Sequence, residues 1–378
     1  MLNLNKIIGL FCLSAFSLFQ LHSQTVPAIG RSNELEIGNW NIEWFGKTTP
    51  GFGPGNDSLQ QRLVKNILNA SDVDIWILCE VSDTGAFGRL MRQVPQYSAA
   101  LANYFPEQKT AILYRTSDFK GINPQLLGTQ NKDSFSTGRY PLKLTLVSLK
   151  PSPFDSLDII ALHLKANTGS DSLKTLAYNS RQRSAEWLKA YTYTQPSNRK
   201  FIIAGDWNDD VDISIFNQLP SSLNPLKLNS GNGYFITNRL SAFRIPTTAS
   251  YPEAIDHQYI SDRLFDYYSR DSVFVWRPDQ YISNYANTCS DHFPVISRYN
   301  QRNYSIVKTD IFNAIVYPNP AEKLIKIESR YDIKTVNLID FSGKIIELNL
   351  SEDFYDISHL KKGMYYLEVV SKYGIHRE

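Results

Sequence analysis

The chain has 378 residues, of which 42% are hydrophobic and 13% aromatic. That is enough apolar material for a sizeable core and roughly two or three domains, and it excludes an intrinsically disordered chain. A net charge of +2 excludes a uniformly basic or acidic polyelectrolyte binder, so any attraction for a polyanion must come from local charge.

Lys6 precedes an apolar run from Ile7 to Phe19, and His22-Ser23-Gln24 follow it. This is the pattern of a secretory signal peptide over 1–23, and the run is too short for a comfortable membrane span. Lys6 is the only charged side chain in that segment, so its removal takes the net charge from +2 to +1. No later segment is long and apolar enough to span a bilayer. The mature chain therefore reads as a monomer with no stable membrane insertion, delivered through the periplasm to the outside or the cell surface. Cys79 and Cys289 are the cysteines that remain. An oxidising compartment permits one disulfide between them, and two free buried thiols is the favoured alternative.

From residue 30 to 300, short strand-like runs alternate with turn-rich loops. Asp57 to Ala70 places Leu59, Leu63, Val64, Ile67 and Leu68 at helical spacing, with Asp57 as N-cap. Asp171 to Tyr191 does the same with Leu173, Leu176, Ala177, Trp187 and Leu188. Many strands and few long helices favour an α+β sandwich over a regularly alternating βαβ fold. A linker is expected over 301–313. Residues 314–378 then read as a small all-β sandwich, with turns at Phe341-Ser342-Gly343-Lys344 and Lys361-Lys362-Gly363.

Polar groups stand where apolar runs end. Ile75-Trp76-Ile77-Leu78-Cys79 ends in Glu80, Asp158-Ile159-Ile160-Ala161-Leu162 in His163, and Phe201-Ile202-Ile203-Ala204-Gly205 in Asp206. Burying such groups separately would be costly, so they point to one shared site. Phosphodiester hydrolysis needs neutralised phosphoryl charge, an activated water and a handled leaving oxygen. A hard divalent cation suits the first need, with Glu80 as ligand and Glu43 and Asp291 next. Asn41 and Asn208 can bond around the phosphate without adding charge, and Asp206 can orient or deprotonate water. His292 and His163 supply acid–base groups, with Asp256 to hold the His292 ring. His292 follows Asp291 directly, so the two point apart unless the backbone bends there. Each signal alone is weak: Gly-Asp-x-Asn is common turn chemistry, a strand-end histidine is usually structural, and Trp40 and Trp207 read as core. The ordered set carries the case.

Taken in order, Trp40-Asn41-Ile42-Glu43, Leu78-Cys79-Glu80, Ala161-Leu162-His163, Gly205-Asp206-Trp207-Asn208, Ile255-Asp256-His257 and Ser290-Asp291-His292-Phe293-Pro294 resemble the motifs of the endonuclease/exonuclease/phosphatase superfamily. The likeness runs from roughly Glu34 to Tyr299 and leans to the deoxyribonuclease style at His163. It implies a four-layered α/β-β/α sandwich of two mixed sheets with the site at one edge. It implies Mg²⁺, with Mn²⁺ or Ca²⁺ equally suited to hard oxygen ligands, held by Glu80 with Glu43, Asp291 and Asn41 near it. It implies His292 paired with Asp256, and Asp206 with Asn208 around water and phosphate. Arg139 is similar to a phosphate-contacting arginine of family nucleases, the alternative being an ordinary surface arginine. In deoxyribonucleases a glutamate supports the first histidine; Glu107 lies nearby in an unfixed register, which leaves the partner of His163 open.

The C-terminal residues Val316-Tyr317-Pro318-Asn319-Pro320-Ala321, Asp340-Phe341-Ser342-Gly343-Lys344 and Leu360-Lys361-Lys362-Gly363-Met364-Tyr365 resemble the sorting domain of proteins exported by type IX secretion. The expected partners are that machinery and a nucleic-acid substrate, DNA or RNA. The expected activity is a secreted metal-dependent phosphodiesterase acting as a nuclease. The alternatives are a sphingomyelinase-like phospholipase or other phosphoester phosphatase of the same fold, and a non-catalytic surface binding module.

Overall fold

The computed structural model describes residues 26–300 and 314–377 apart from 153, 228–231, 270–271, 330–331, 341–342, 352 and 372–373. The signal peptide expected over 1–23 and the linker over 301–313 lie outside the described residues. Among the described residues no helix is long and apolar enough to cross a membrane.

Among the described residues twelve strands precede residue 301. They are β1 (Glu34–Phe45), β2 (Ile75–Val81), β3 (Tyr97–Leu101), β4 (Lys109–Arg115), β5 (Phe119–Leu126), β6 (Leu142–Ser148), β7 (Ser156–His163), β8 (Phe201–Asp206), β9 (Gly233–Phe235), β10 (Asp256–Ser261), β11 (Phe274–Val275) and β12 (Val295–Asn300). They form two six-stranded sheets, ordered β11-β12-β1-β2-β4-β3 and β5-β6-β7-β8-β10-β9. Each sheet contains one parallel pair, β1 with β2 and β7 with β8, among antiparallel neighbours.

Alternation along the strands builds the layers. Ile37, Ile75, Ile77 and Ile112 of one sheet meet Leu144, Ile159, Ala161, Ile202 and Ala204 of the other in a buried inter-sheet core. The opposite faces, with Trp40, Ile42, Trp76 and Leu78, pack on helices α1 (Asp57–Ser71) and α2 (Thr84–Gln93). Ile160, Leu162 and Ile203 pack on Ala185 and Leu188 of α3 (Asp171–Tyr193). This is the four-layered arrangement, and residues 314–377 add two four-stranded antiparallel sheets.

Three local expectations are corrected. The α1 cap is Asn56, whose side chain accepts from the Leu59 N–H, and Asp57 sits inside the first turn where a carboxylate meets the positive helix end. In α3, Leu173 and Leu176 are 54% and 62% exposed; the buried residues are Ala177, Ser180, Arg181, Ser184, Ala185, Leu188 and Thr192, and the small ones among them, Ala177, Ser180, Ser184 and Ala185, let the helix lie close on the sheet. Helix α2 was not anticipated, because Gly85 and Gly88 dilute its helical signal.

Far from the strand ends that carry the motifs, Glu36 of β1 is 1% exposed and its backbone N–H donates to Asp74 Oδ2 at 2.9 Å. Burial and the adjacent Asp74 push its carboxyl from 4.5 up to about 8. The sign is unfavourable at high pH: stability is full below about 4.5, falls as pH rises from there because only the folded state keeps the Glu36 proton, and levels off above about 8. Glu36→Gln is therefore expected to gain melting temperature over wild type progressively between pH 4.5 and 8. A difference in melting temperature that stays flat across that range would refute it.

Candidate active site

The two parallel pairs bring the C-terminal ends of β1, β2, β7 and β8 to one edge of the sandwich. The antiparallel neighbours β10 and β12 enter at that same edge, so Asp256 opens β10 and His292 stands just before β12. Register makes the placement specific: His163 lies beside Asp206, and Asp206 beside Asp256. Gly205 is required for that fit. Its φ is +142°, and a Cβ there would lie 2.0 Å from the Leu162 carbonyl oxygen.

Glu80 reaches the group by a backbone irregularity. Simple alternation would put it with Trp76 and Leu78 on the helix-covered face. Instead the register shifts beside it on both neighbours, and its φ is +67°. Asn41 Nδ2 then donates to Glu80 Oε1 at 3.0 Å and to Asp206 Oδ2 at 3.1 Å. His163 Nε2 lies 3.7 Å from Glu80 Oε1 and 3.4 Å from Asp206 Oδ2. Glu80, His163 and Asp206 offer ligand atoms within 4.8 Å of one another.

A second ring surrounds these. His292 Nδ1 is 2.8 Å from Asp256 Oδ2, while its Nε2 lies 4.0 Å from Asp206 Oδ2 and 3.9 Å from Asp291 Oδ1. The backbone does bend at Asp291-His292, so both side chains reach one place. Glu43 Oε2 accepts from the Asp291 N–H at 2.9 Å. Asn208 donates its N–H to Asp206 Oδ1 at 2.9 Å, and its amide donates to the Leu164 carbonyl at 3.3 Å.

Arg139 is 8% exposed and is not a surface arginine. Its Nη1 lies 2.9 Å from His163 Nδ1 and 3.1 Å from Nε2, and it donates to Gln108 Oε1 at 2.8 Å. Glu107 binds Lys47 at 2.7 Å, so Arg139 and not Glu107 is the neighbour that His163 has here. Cys79 and Cys289 are buried free thiols. Trp40 and Trp207 are fully buried and belong to the core.

Electrostatics follow from this crowding. Burial lifts the Asp206 carboxyl to about 7; His292 pulls it down, while Asp256 and Glu80 add to the rise. Burial and the Asp291 carboxylate lift Glu43 to about 7. Burial, with Arg139 and His292 adding to it, holds His163 well below the usual imidazole range, so its ring is neutral. Burial also works against a charged His292, but Asp256, Asp291 and Asp206 outweigh it and hold that ring well above its ordinary range. Asp256 Oδ1 is buried without a hydrogen-bond partner.

Backbone strain marks the same edge. Of thirteen non-glycine residues with positive φ among those described, seven are Glu43, Trp44, Glu80, Gln108, Ser136, Thr137 and Asn208, all in or beside this group. Strain gathered at one place is characteristic of functional sites. Gln60 supports it from α1, donating to the carbonyls of Ile42, Glu43 and Cys289. Sequence reading missed Gln60, although a polar residue in register with Val64, Ile67 and Leu68 was the signal. Tyr285 and Trp40, which both donate to the His292 carbonyl, had no signal at all.

The family model for the Endonuclease/Exonuclease/phosphatase family matches residues 38–292. The chain belongs to this family. Family members are hydrolases acting on phosphoester bonds, typically with a divalent metal. A second model, the Secretion system C-terminal sorting domain, matches residues 315–376 and marks the protein as secreted or displayed at the cell surface. Solved structures share the family fold. A humanized D. rerio TDP2 carrying 14 mutations is 15% identical with a TM-score of 0.51, over 71% of this chain and 100% of that one. The endonuclease/exonuclease/phosphatase from Beutenbergia cavernae is 12% identical with a TM-score of 0.51, over 92% of this chain and 99% of that one. D. rerio TDP2 complexed with single strand DNA product is 14% identical with a TM-score of 0.50, over 71% and 99%. No curated protein matches the chain.

Proposed function

We propose that the protein is a secreted, divalent-metal-dependent phosphodiesterase that acts as a nuclease on extracellular DNA or RNA. The convergence of Glu80, Asp206 and His163 within 4.8 Å, beside the His292–Asp256 pair and Arg139, carries this reading. The related fold of D. rerio TDP2, crystallised with a single-strand DNA product, supports it.

The donor set fits a hard cation. Carboxylates crowd together, Asp206 and Glu43 are raised by the crowding, and Asp256 keeps an orphaned oxygen. Glu80 would hold the ion, with Asp206 and neutral His163 in reach and Glu43 and Asp291 beside them. A bound divalent cation would neutralise charge building on the phosphoryl oxygens.

The protein's own groups do the rest. Asp206 is fixed by Asn41 and Asn208 and ionises near neutrality, so it can take a proton from an attacking water. Asp256 fixes Nδ1 of a charged His292, which leaves Nε2–H to donate toward the phosphate or the leaving oxygen. Arg139 binds phosphate oxygens, and the planar guanidinium suits that geometry, while Asn41, whose two amide hydrogens go to Glu80 and Asp206, positions those carboxylates instead.

Purified protein incubated with supercoiled plasmid should nick it in Mg²⁺ and stop in excess EDTA. Absence of cleavage by folded protein would overturn the nuclease reading in favour of lipid or small phosphoesters.

A further inference from the structure

Beside the catalytic edge lies a cavity of about 390 Å³, lined by Pro246, Thr248, Arg277, Asp279, Asn284 and Phe293 among others. That volume is in the range of small-ligand sites. It adjoins the proposed machinery through the backbone: Thr248 bridges to His292, and the Ala249 N–H donates to the Asp291 carbonyl at 2.8 Å.

Arg277 is held there in an unusual way for a half-exposed arginine. Its Nε and Nη2 donate to the two Asp279 carboxylate oxygens at 2.9 and 2.6 Å. Its guanidinium lies 4.3 Å from the centroid of the Phe293 ring, and Phe293 in turn stacks on Tyr285 at 5.7 Å. Tyr285 donates to the His292 carbonyl. A fork and a ring thus fix a flat cation, 42% exposed, in the cavity wall.

We infer that Arg277 is a stacking shelf for a nucleobase next to the scissile phosphate. This rests on the nuclease reading and names a substrate subsite for it. The chemistry selects the occupant. A phosphate would have to compete with the bidentate Asp279, which already neutralises the guanidinium. A choline headgroup would meet a cation where it needs an aromatic face. What the site offers is a rigid plane, and bases stack on guanidinium planes when they are unpaired. The preferred substrate is therefore single-stranded or locally unpaired nucleic acid.

The test uses a short fluorescent single-stranded oligonucleotide and versions of it with one abasic position, moved along the strand. Binding is read by anisotropy in EDTA, for wild type and for Arg277→Lys, which keeps the charge and loses the plane. Arg277→Lys is expected to weaken binding of the intact strand about fivefold or more. At one abasic position wild-type binding should fall similarly, and there the variant should lose nothing further. Equal weakening of intact and abasic strands, or no weakening, overturns the shelf, as does a wild type that binds no oligonucleotide. Arg277→Met is the second variant if the lysine protein melts abnormally. Plasmid nicking by wild type judges the nuclease reading separately. Loss of binding to sphingomyelin vesicles in place of oligonucleotide would overturn the nucleobase assignment.

Discussion

Replacing His292 by alanine is expected to lower phosphodiester turnover about 10²- to 10⁴-fold, the usual worth of a positioned acid–base group. The expectation comes from how the ring is held. Asp256 is fully buried and grips Nδ1 at 2.8 Å, so Nε2 alone faces Asp206 and Asp291. Removing the ring leaves Asp256 buried with neither oxygen paired to a cation, so the alanine protein should also melt lower. His292→Gln, which keeps bulk and a donor, separates the two effects: stability should recover largely and turnover should not. Glu80→Ala and Asp206→Ala should abolish activity as well, with folding intact. A folded His292→Ala protein with near-wild-type turnover would contradict the assigned role.

Gly205→Ala should be severely damaging, costing roughly 4 kcal/mol or more. Two independent costs combine. A φ of +142° is a region that only glycine enters readily, and the new Cβ would sit 2.0 Å from the Leu162 carbonyl oxygen. That oxygen belongs to the neighbouring parallel strand, so relief requires β7 and β8 to part. The same separation would pull His163 away from Asp206. Thermal melting and far-UV circular dichroism read the outcome; a Gly205→Ala protein melting within a degree or two of wild type would refute the argument.

Much of the fold was legible because strand alternation is a strong physical signal. Ile159-Ala161 and Ile202-Ala204 point inward, so the next alternate residues, His163 and Asp206, must face the inter-sheet space. Asn41 follows Ile37 in the same way. Glu80 obeys no such parity. It joins the site only through a register shift and a left-handed φ, which no local pattern announces. Leu173 and Leu176 misled in the opposite sense, since helical spacing says which residues share a face and not where the packed face ends.

The sequence by itself determined the two-part organisation, the sandwich class and the ordered set of chemical residues. Each of these rests on local periodicity or on residue identity at strand ends. Only the tertiary structure decided who meets whom: His163 with Arg139 in place of Glu107, Asp291 brought beside His292, Gln60 under the strained turn, and Arg277 flattened between Asp279 and Phe293. Such meetings depend on register and on backbone bends set by packing across the whole sandwich, and those long-range constraints leave no trace in the spacing of neighbouring residues.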